Sequence, residues 1–192
     1  MQSMLLTSVE ETIQAVSQLK QPHSLKFMED AARMIANCFS TGNKVIIAGN
    51  GGSLCDASHF AEELTGFFRS FRPALPAIAL SEPGHITCTA NDLGFEWVFA
   101  RGVQAYGKPG DVFVGLTTSG NSPNIVKAIE IAQQLQLQTI AFLGKDGGKL
   151  KGVADLELII EGFPTSDRIQ EAHMAAIHLI IQLIEQQLFP GE

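Results

Sequence analysis

The chain has 192 residues, the length of one ordinary domain with a sizeable core. It carries 20 acidic against 13 basic side chains, a net charge of −7, with no run of Lys or Arg, which argues against a nucleic-acid groove. A small anionic ligand stays admissible, because a loop of backbone amides binds phosphate without net positive charge.

Met1-Gln2-Ser3 is not a basic segment leading into an apolar one, and no stretch reaches the apolar length of a membrane span. The expected setting is cytoplasmic, away from membranes, with Cys38, Cys55 and Cys88 as reduced thiols. Val9, Ile13, Val16 and Leu19 predict a first helix from about Val9 to Leu19. Pro22 punctuates, and a second helix is expected from about Ser24 to Phe39, stopped at Thr41-Gly42. Short apolar runs then alternate with helical patterns: Lys44–Gly49, Pro76–Leu80, Asp111–Thr117, Thr139–Gly144 and Leu156–Glu161. Continuously hydrophobic runs suit strands buried on both faces, so the fold class is α/β, a doubly wound parallel sheet of about five strands flanked by helices. No linker divides it, and residues 1–192 read as a single domain, with 1–42 a helical segment and 43–192 the α/β core. A last helix, from about Asp167 to Leu188, is apolar nearly all round and is expected to be buried. A subunit interface is a natural place for it, so a homo-oligomer is expected, a tetramer with the N- and C-terminal helices at its centre.

Ligands of open α/β sheets bind at the carboxyl ends of the strands. Two Gly/Ser/Asn loops stand at such ends: Gly49-Asn50-Gly51-Gly52-Ser53, and Thr117-Thr118-Ser119-Gly120-Asn121-Ser122-Pro123. In the second, Ser122 suits a helix N-cap and Pro123 the first helical turn, so hydroxyls and free amides meet the positive end of a helix. A merely well-capped turn is the plainer reading of that loop alone; a second such loop in one small domain favours an anion site. The first loop lacks both Gly-x-Gly-x-x-Gly and Gly-Lys-Ser/Thr, so no nucleotide cofactor is expected.

The first loop continues into Asp56-Ala57 and His59-Phe60-Ala61-Glu62-Glu63-Leu64-Thr65-Gly66. Together with Ala90-Asn91-Asp92, Thr117–Ser122, Gly144-Lys145-Asp146-Gly147-Gly148, Asp167-Arg168-Ile169-Gln170-Glu171, His173 and His178, it resembles the phosphoheptose isomerase branch of the SIS (sugar isomerase) domain family. That resemblance spans nearly the whole chain. It implies a five-stranded parallel sheet, usually in a tetramer, and interconversion of sedoheptulose 7-phosphate and D-glycero-D-manno-heptose 7-phosphate toward bacterial surface heptose. It implies zinc, one per subunit, at His59, Glu63, Gln170 and His178. The implied substrate positions are Asn50, Gly51, Gly52, Glu63, Asn91, Asp92, Thr117, Thr118, Ser119, Ser122 and Gln170, with Ser53 added for its proximity. Phe67 departs from the branch, which usually has arginine there, and Arg69 follows two positions on. The tail Leu188-Phe189-Pro190 is similar to SIS relatives that bind the bacterial replication initiator without catalysis, and such an adaptor is the alternative function.

Moving a carbonyl between C1 and C2 needs a base to shuttle a proton and a partner for the oxygen. His59 and Glu63 are four apart, one face of a helix, although Glu62 is also in reach of His59 and only the resemblance selects Glu63. Phe60, Leu64 and Phe67 form the apolar stripe expected to anchor that helix. With Asp167 as N-cap, Gln170 would complete a capping box. His178, in an apolar stretch, rests on the resemblance, and His173 is either core or support. Glu63 is expected as the base and His178 as its acid partner. On one straight helix Gln170 and His178 stand about 12 Å apart along the axis, too far for one zinc bound at about 2 Å. A site between subunits, with these helices contributing from neighbouring chains, is the resulting expectation.

Overall fold

The computed structural model describes residues 1–190. Five strands, β1 (Val45–Gly49), β2 (Ala77–Ala79), β3 (Val112–Thr117), β4 (Gln138–Gly144) and β5 (Leu156–Ile160), form one sheet in the order β2-β1-β3-β4-β5. All neighbours pair in parallel, with Ile46 opposite Phe113 and Val114 opposite Ile140 marking the central register. The helices are α1 (Gln2–Ser17), α2 (Pro22–Ser40), α3 (Gly52–Thr65), α4 (Pro83–Leu93), α5 (Val98–Tyr106), α6 (Pro123–Gln134) and α7 (Ser166–Leu188). This is the expected doubly wound sheet.

Alternation along each strand divides the core in two. Val45 and Ile47, Val112, Val114 and Leu116, and Ile140 and Phe142 meet α2, α3 and α7 on one face. Ile46, Ala48, Phe113, Ala141 and Leu143 meet α5 and α6 on the other. The central strands carry apolar residues at successive positions because both faces are covered.

The last helix is buried, but by its own chain. Ile169, Ala172, Ala176, Ile177, Ile180, Ile181 and Ile184 are inaccessible within the protomer, so their burial needs no subunit interface. The first helix departs from expectation. It begins at Gln2 and ends at Ser17, where a short 3-10 turn carries Leu19 into the core. Only Ala15 of α1 is buried; Met4, Leu5, Leu6, Val9 and Ile13 are each more than half exposed. The stripe read from Val9 and Ile13 therefore faces outward, leaving an apolar helix face on the surface. No helix among the described residues is long and apolar enough to cross a membrane.

The strand order fixes where a ligand can sit. From β1 the chain winds outward to β2, and from β3 it winds the opposite way to β4. The crevice at this reversal lies between the carboxyl ends of β1 and β3. Both Gly/Ser loops open into it.

Candidate active site

A small cavity lies in that crevice, lined by Asn50, Ser53, Leu116, Thr117, Thr118, Ser122, Ser166 and Gln170. It contains no lysine or arginine. Three helices, α3, α6 and α7, start at its rim, so their amino-terminal dipoles and free N–H groups supply the positive potential instead. Ser122 is the N-cap residue and Pro123 opens α6, as expected, but the Ser122 hydroxyl makes no capping bond. It pairs with Thr117 Oγ1 at 3.0 Å. Pro123 has no N–H, and the amides of Ile125 and Val126 donate to the Ser122 carbonyl, so the Asn124 backbone amide is the one left to a ligand in this turn.

The loops are braced to each other. Asn50 and buried Asn124 exchange two amide hydrogen bonds of 2.9 Å, linking the first loop to the start of α6. Thr118 Oγ1 meets Ser166 Oγ at 2.9 Å, tying the second loop to α7. Gly120 holds the turn at φ +63°, and a Cβ there would collide with the carbonyl of Gly147. Asn124→Ala is expected to weaken binding of inorganic phosphate about tenfold, the worth of one well-placed polar contact. Calorimetric titration checks this, and unchanged affinity would show that the amide pair does not shape the cavity.

Gln170 reaches this cavity because the capping box does not form. The N-cap of α7 is Thr165, two residues before the expected Asp167, which lies instead inside the first turn. There the Thr165 hydroxyl, with smaller help from Arg168, holds the Asp167 carboxyl below its ordinary range. Gln170 Nε2 points to Ser53 Oγ at 3.4 Å, and its amide fills the space a Cβ on Gly52 would take.

Beside the cavity, α3 and α7 run together and bring His59, Glu63 and His178 to one point. Their ligand atoms all lie within 4.8 Å of one another, and all three residues are partly buried. His59 Nε2 stands 3.0 Å from His178 Nε2 and 3.4 Å from Glu63 Oε1. Two imidazoles on one tetrahedral zinc hold their nitrogens roughly 3.3 Å apart, so this spacing and donor set fit such an ion. Glu62, the rival to Glu63, faces His59 Nδ1 at 3.4 Å. The two carboxylates therefore divide the imidazole: Glu62 favours a proton on Nδ1, which leaves the Nε2 lone pair to the cluster.

His59, Glu63 and His178 need no helix of a neighbouring chain to meet; the expected site between subunits rested on Gln170 and His178, and it stays a proposal. All three belong to one protomer, because two helices packed side by side supply them. The axial argument does describe Gln170, which contacts Ser53 two turns away from His178. Phe67 is also corrected: α3 ends at Thr65, and Phe67 is 54% exposed, whereas Phe60 and Leu64 anchor the helix. Asn91 and Asp92 end α4, exposed and bonded to each other at 2.8 Å, and neither lines the cavity. Ser119 accepts from the Asn121 amide and shapes the second loop without lining the cavity. His173 is core: fully buried, its Nε2 donates to the Leu143 carbonyl at 2.8 Å, and burial pushes its pKa down to about 4. Asp56, one turn before His59, has a carboxylate oxygen without a partner, and burial raises its pKa to about 6. Asn124 and Ser166 were missed by sequence reasoning; the run Thr165-Ser166-Asp167 before an apolar helix was the available signal for the latter.

The SIS domain family profile matches residues 8–144. The chain is 56% identical over 172 residues to a phosphoheptose isomerase of Fusobacterium nucleatum, covering 90% of this chain and 88% of that one. The chain belongs to the phosphoheptose isomerase branch of the SIS domain family. A Vibrio cholerae phosphoheptose isomerase is 54% identical over 170 residues, 88% of this chain and 89% of its own. Among solved structures, a phosphoheptose isomerase from Neisseria gonorrhoeae superposes with a TM-score of 0.89 at 35% identity, covering 96% of this chain and 98% of that one. One from Francisella tularensis gives 0.90 at 34%, covering 96% and 97%. Membership makes this SIS chain an isomerase.

Proposed function

We propose that the chain interconverts sedoheptulose 7-phosphate and D-glycero-D-manno-heptose 7-phosphate, the first step toward ADP-heptose and the lipopolysaccharide core. The observation that carries this reading is the juxtaposition of a neutral anion cavity at the sheet crevice with the His59/Glu63/His178 cluster. The phosphate is held by the Asn124 backbone amide of α6, the amino-terminal amides of α7 and the hydroxyls of Thr117, Thr118 and Ser122. Asn50, Gly51, Gly52, Ser53 and Gln170 line the path of the sugar chain, with Ser119 shaping the phosphate loop. Asn91 and Asp92, outside the cavity lining, are proposed contacts for the part of the sugar chain that extends beyond it. Glu63 carries the proton between C1 and C2, and His178 exchanges protons with the oxygens.

His59, Glu63 and His178 would hold zinc, one per subunit; Gln170, two turns away on α7 and facing Ser53, would reach that ion as a fourth ligand only from a neighbouring subunit. When bound, the ion stabilises negative charge on the substrate oxygens. Residues 1–192 act as one SIS domain in the cytoplasm, with 1–42 serving assembly; residues 191 and 192 lie outside the described part. The exposed face of α1, with Leu25 and Leu179 also exposed, supports a homo-oligomer, a tetramer.

A non-catalytic adaptor for the replication initiator would have no use for two imidazoles and a carboxylate converging beside a phosphate cavity. The tail that suggested it is partly buried, with Leu188 and Phe189 packed on the core. Incubation of purified protein with sedoheptulose 7-phosphate is expected to yield the aldoheptose phosphate. Chelation should slow turnover at least about tenfold, with recovery on added zinc. Absence of product, together with capture of the initiator, would reverse the reading. Activity untouched by complete zinc removal would leave the metal without a catalytic part.

A further inference from the structure

Arg72 is a buried cation outside the cluster, 4% exposed in the loop that follows α3. We infer that Arg72 and Glu185 form a positioning clamp for Glu63 and His178, an inference that rests on the isomerase reading above. Arg72 Nη2 donates to the backbone carbonyl of Glu63 at 2.7 Å. Its Nη1 donates to the carbonyls of Leu64 at 2.7 Å, Gly66 at 3.1 Å and Pro73 at 3.1 Å. Carbonyls in the last turn of a helix lack intrahelical partners, and here one guanidinium gathers those of α3.

The third nitrogen, Nε, donates to Glu185 Oε1 at 2.8 Å. The same oxygen accepts from the Phe68 amide at 3.3 Å. The Phe68 ring in turn stacks on His178, with centroids 5.5 Å apart and planes 24° apart. Glu185 follows His178 by seven residues on α7, so both stand on one side of that helix. One ion pair therefore fixes the main chain of Glu63 and the ring that braces His178. It joins α3 to α7 beside the point where their functional side chains meet. A buried ion pair is a weak device for stability, since desolvation offsets most of its attraction. As a device for position, with each of the three nitrogens of Arg72 directed to a fixed acceptor, it is strong.

The test uses the full chain with Glu185→Ala, Glu185→Gln and Arg72→Lys, each checked for folding by circular dichroism. Glu185→Ala should lower kcat by about tenfold or more with KM within about threefold, because sub-ångström displacement of reacting groups acts on the chemical step. Glu185→Gln keeps an acceptor for Phe68 and Arg72 and should restore most of kcat. Arg72→Lys cannot serve Glu63, Leu64 and Glu185 together, so it should resemble the alanine variant and supplies the test if that variant fails to fold. The second readout needs no substrate. In 13C-histidine-labelled protein, the His178 ring protons should lose the ring-current shift of Phe68 in the variants and regain it in Glu185→Gln. A folded variant with unmoved His178 resonances overturns the clamp, whatever its kcat, as does wild-type kcat. An inactive wild type overturns the isomerase reading alone, since the resonance shift still decides the clamp.

Discussion

Glu63→Gln is expected to lower kcat by about 10²–10⁴-fold, the usual worth of a positioned general base. The substitution keeps shape and loses only the capacity to take a proton and the full ligand charge. Glu63 is partly buried, with its side chain 18% exposed, and contacts His59 Nε2 at 3.4 Å without pairing to any lysine or arginine among the described residues. Folding and oligomeric state should therefore be retained. The carboxylate has two proposed roles, and the variant can separate them. Zinc affinity should fall with the lost charge, yet raising the zinc concentration until the site is filled should not bring kcat back. Turnover restored by metal alone would make Glu63 a ligand and pass the proton to another group. Normal turnover without added metal would remove Glu63 from the reaction.

What the sequence shows and what it conceals follow from the range of the forces involved. The strands β1, β3 and β4 were readable to within about one residue, because burial on both faces writes a nearly continuous apolar run. Strand β5 was read as closely although it is an edge strand, with Glu157 in it and three residues only partly buried. The edge strand β2 shortens to Ala77–Ala79, with each residue only partly buried, and its signal is weaker in proportion. At the start of α7, Thr165, Ser166 and Asp167 can all cap a helix, and local chemistry does not choose among them. The choice falls on Thr165 and thereby leaves Gln170 to the cavity. The two loops were legible as an anion site from Gly, Ser and Thr at strand ends. The bracing of one loop by the other through Asn124 was not, since 74 residues separate the partners. Spacing along one helix correctly separated Gln170 from His178. It could not show His178 meeting His59, because that contact depends on how α3 lies against α7 over a shared sheet face.

The same burial that makes His173 unfit for catalysis gives it a large effect on acid stability. Its pKa is held at about 4 in the folded chain, chiefly by desolvation, with the Leu143 hydrogen bond opposing weakly, against an ordinary value of 6.5. The unfolded chain thus binds a proton at higher pH than the folded one does. Stability must then fall as pH drops from about 6.5 toward 4, by about 3 kcal/mol across the full window. Asp56 acts in the opposite sense. Its folded pKa is raised to about 6 from 3.8, so its contribution is present at low pH and fades as pH rises through 6. The two windows overlap, and the wild-type curve alone would hide part of the histidine effect. The difference between wild type and His173→Gln removes the Asp56 contribution, because both proteins share it. Glutamine offers its amide near the position of Nε2 and does not titrate. Urea unfolding at fixed protein concentration should show the wild type losing about 2–3 kcal/mol more than the variant between pH 7 and pH 4.5. Parallel curves would mean that His173 is protonated without cost, and that the contact with Leu143 does not seal it from solvent.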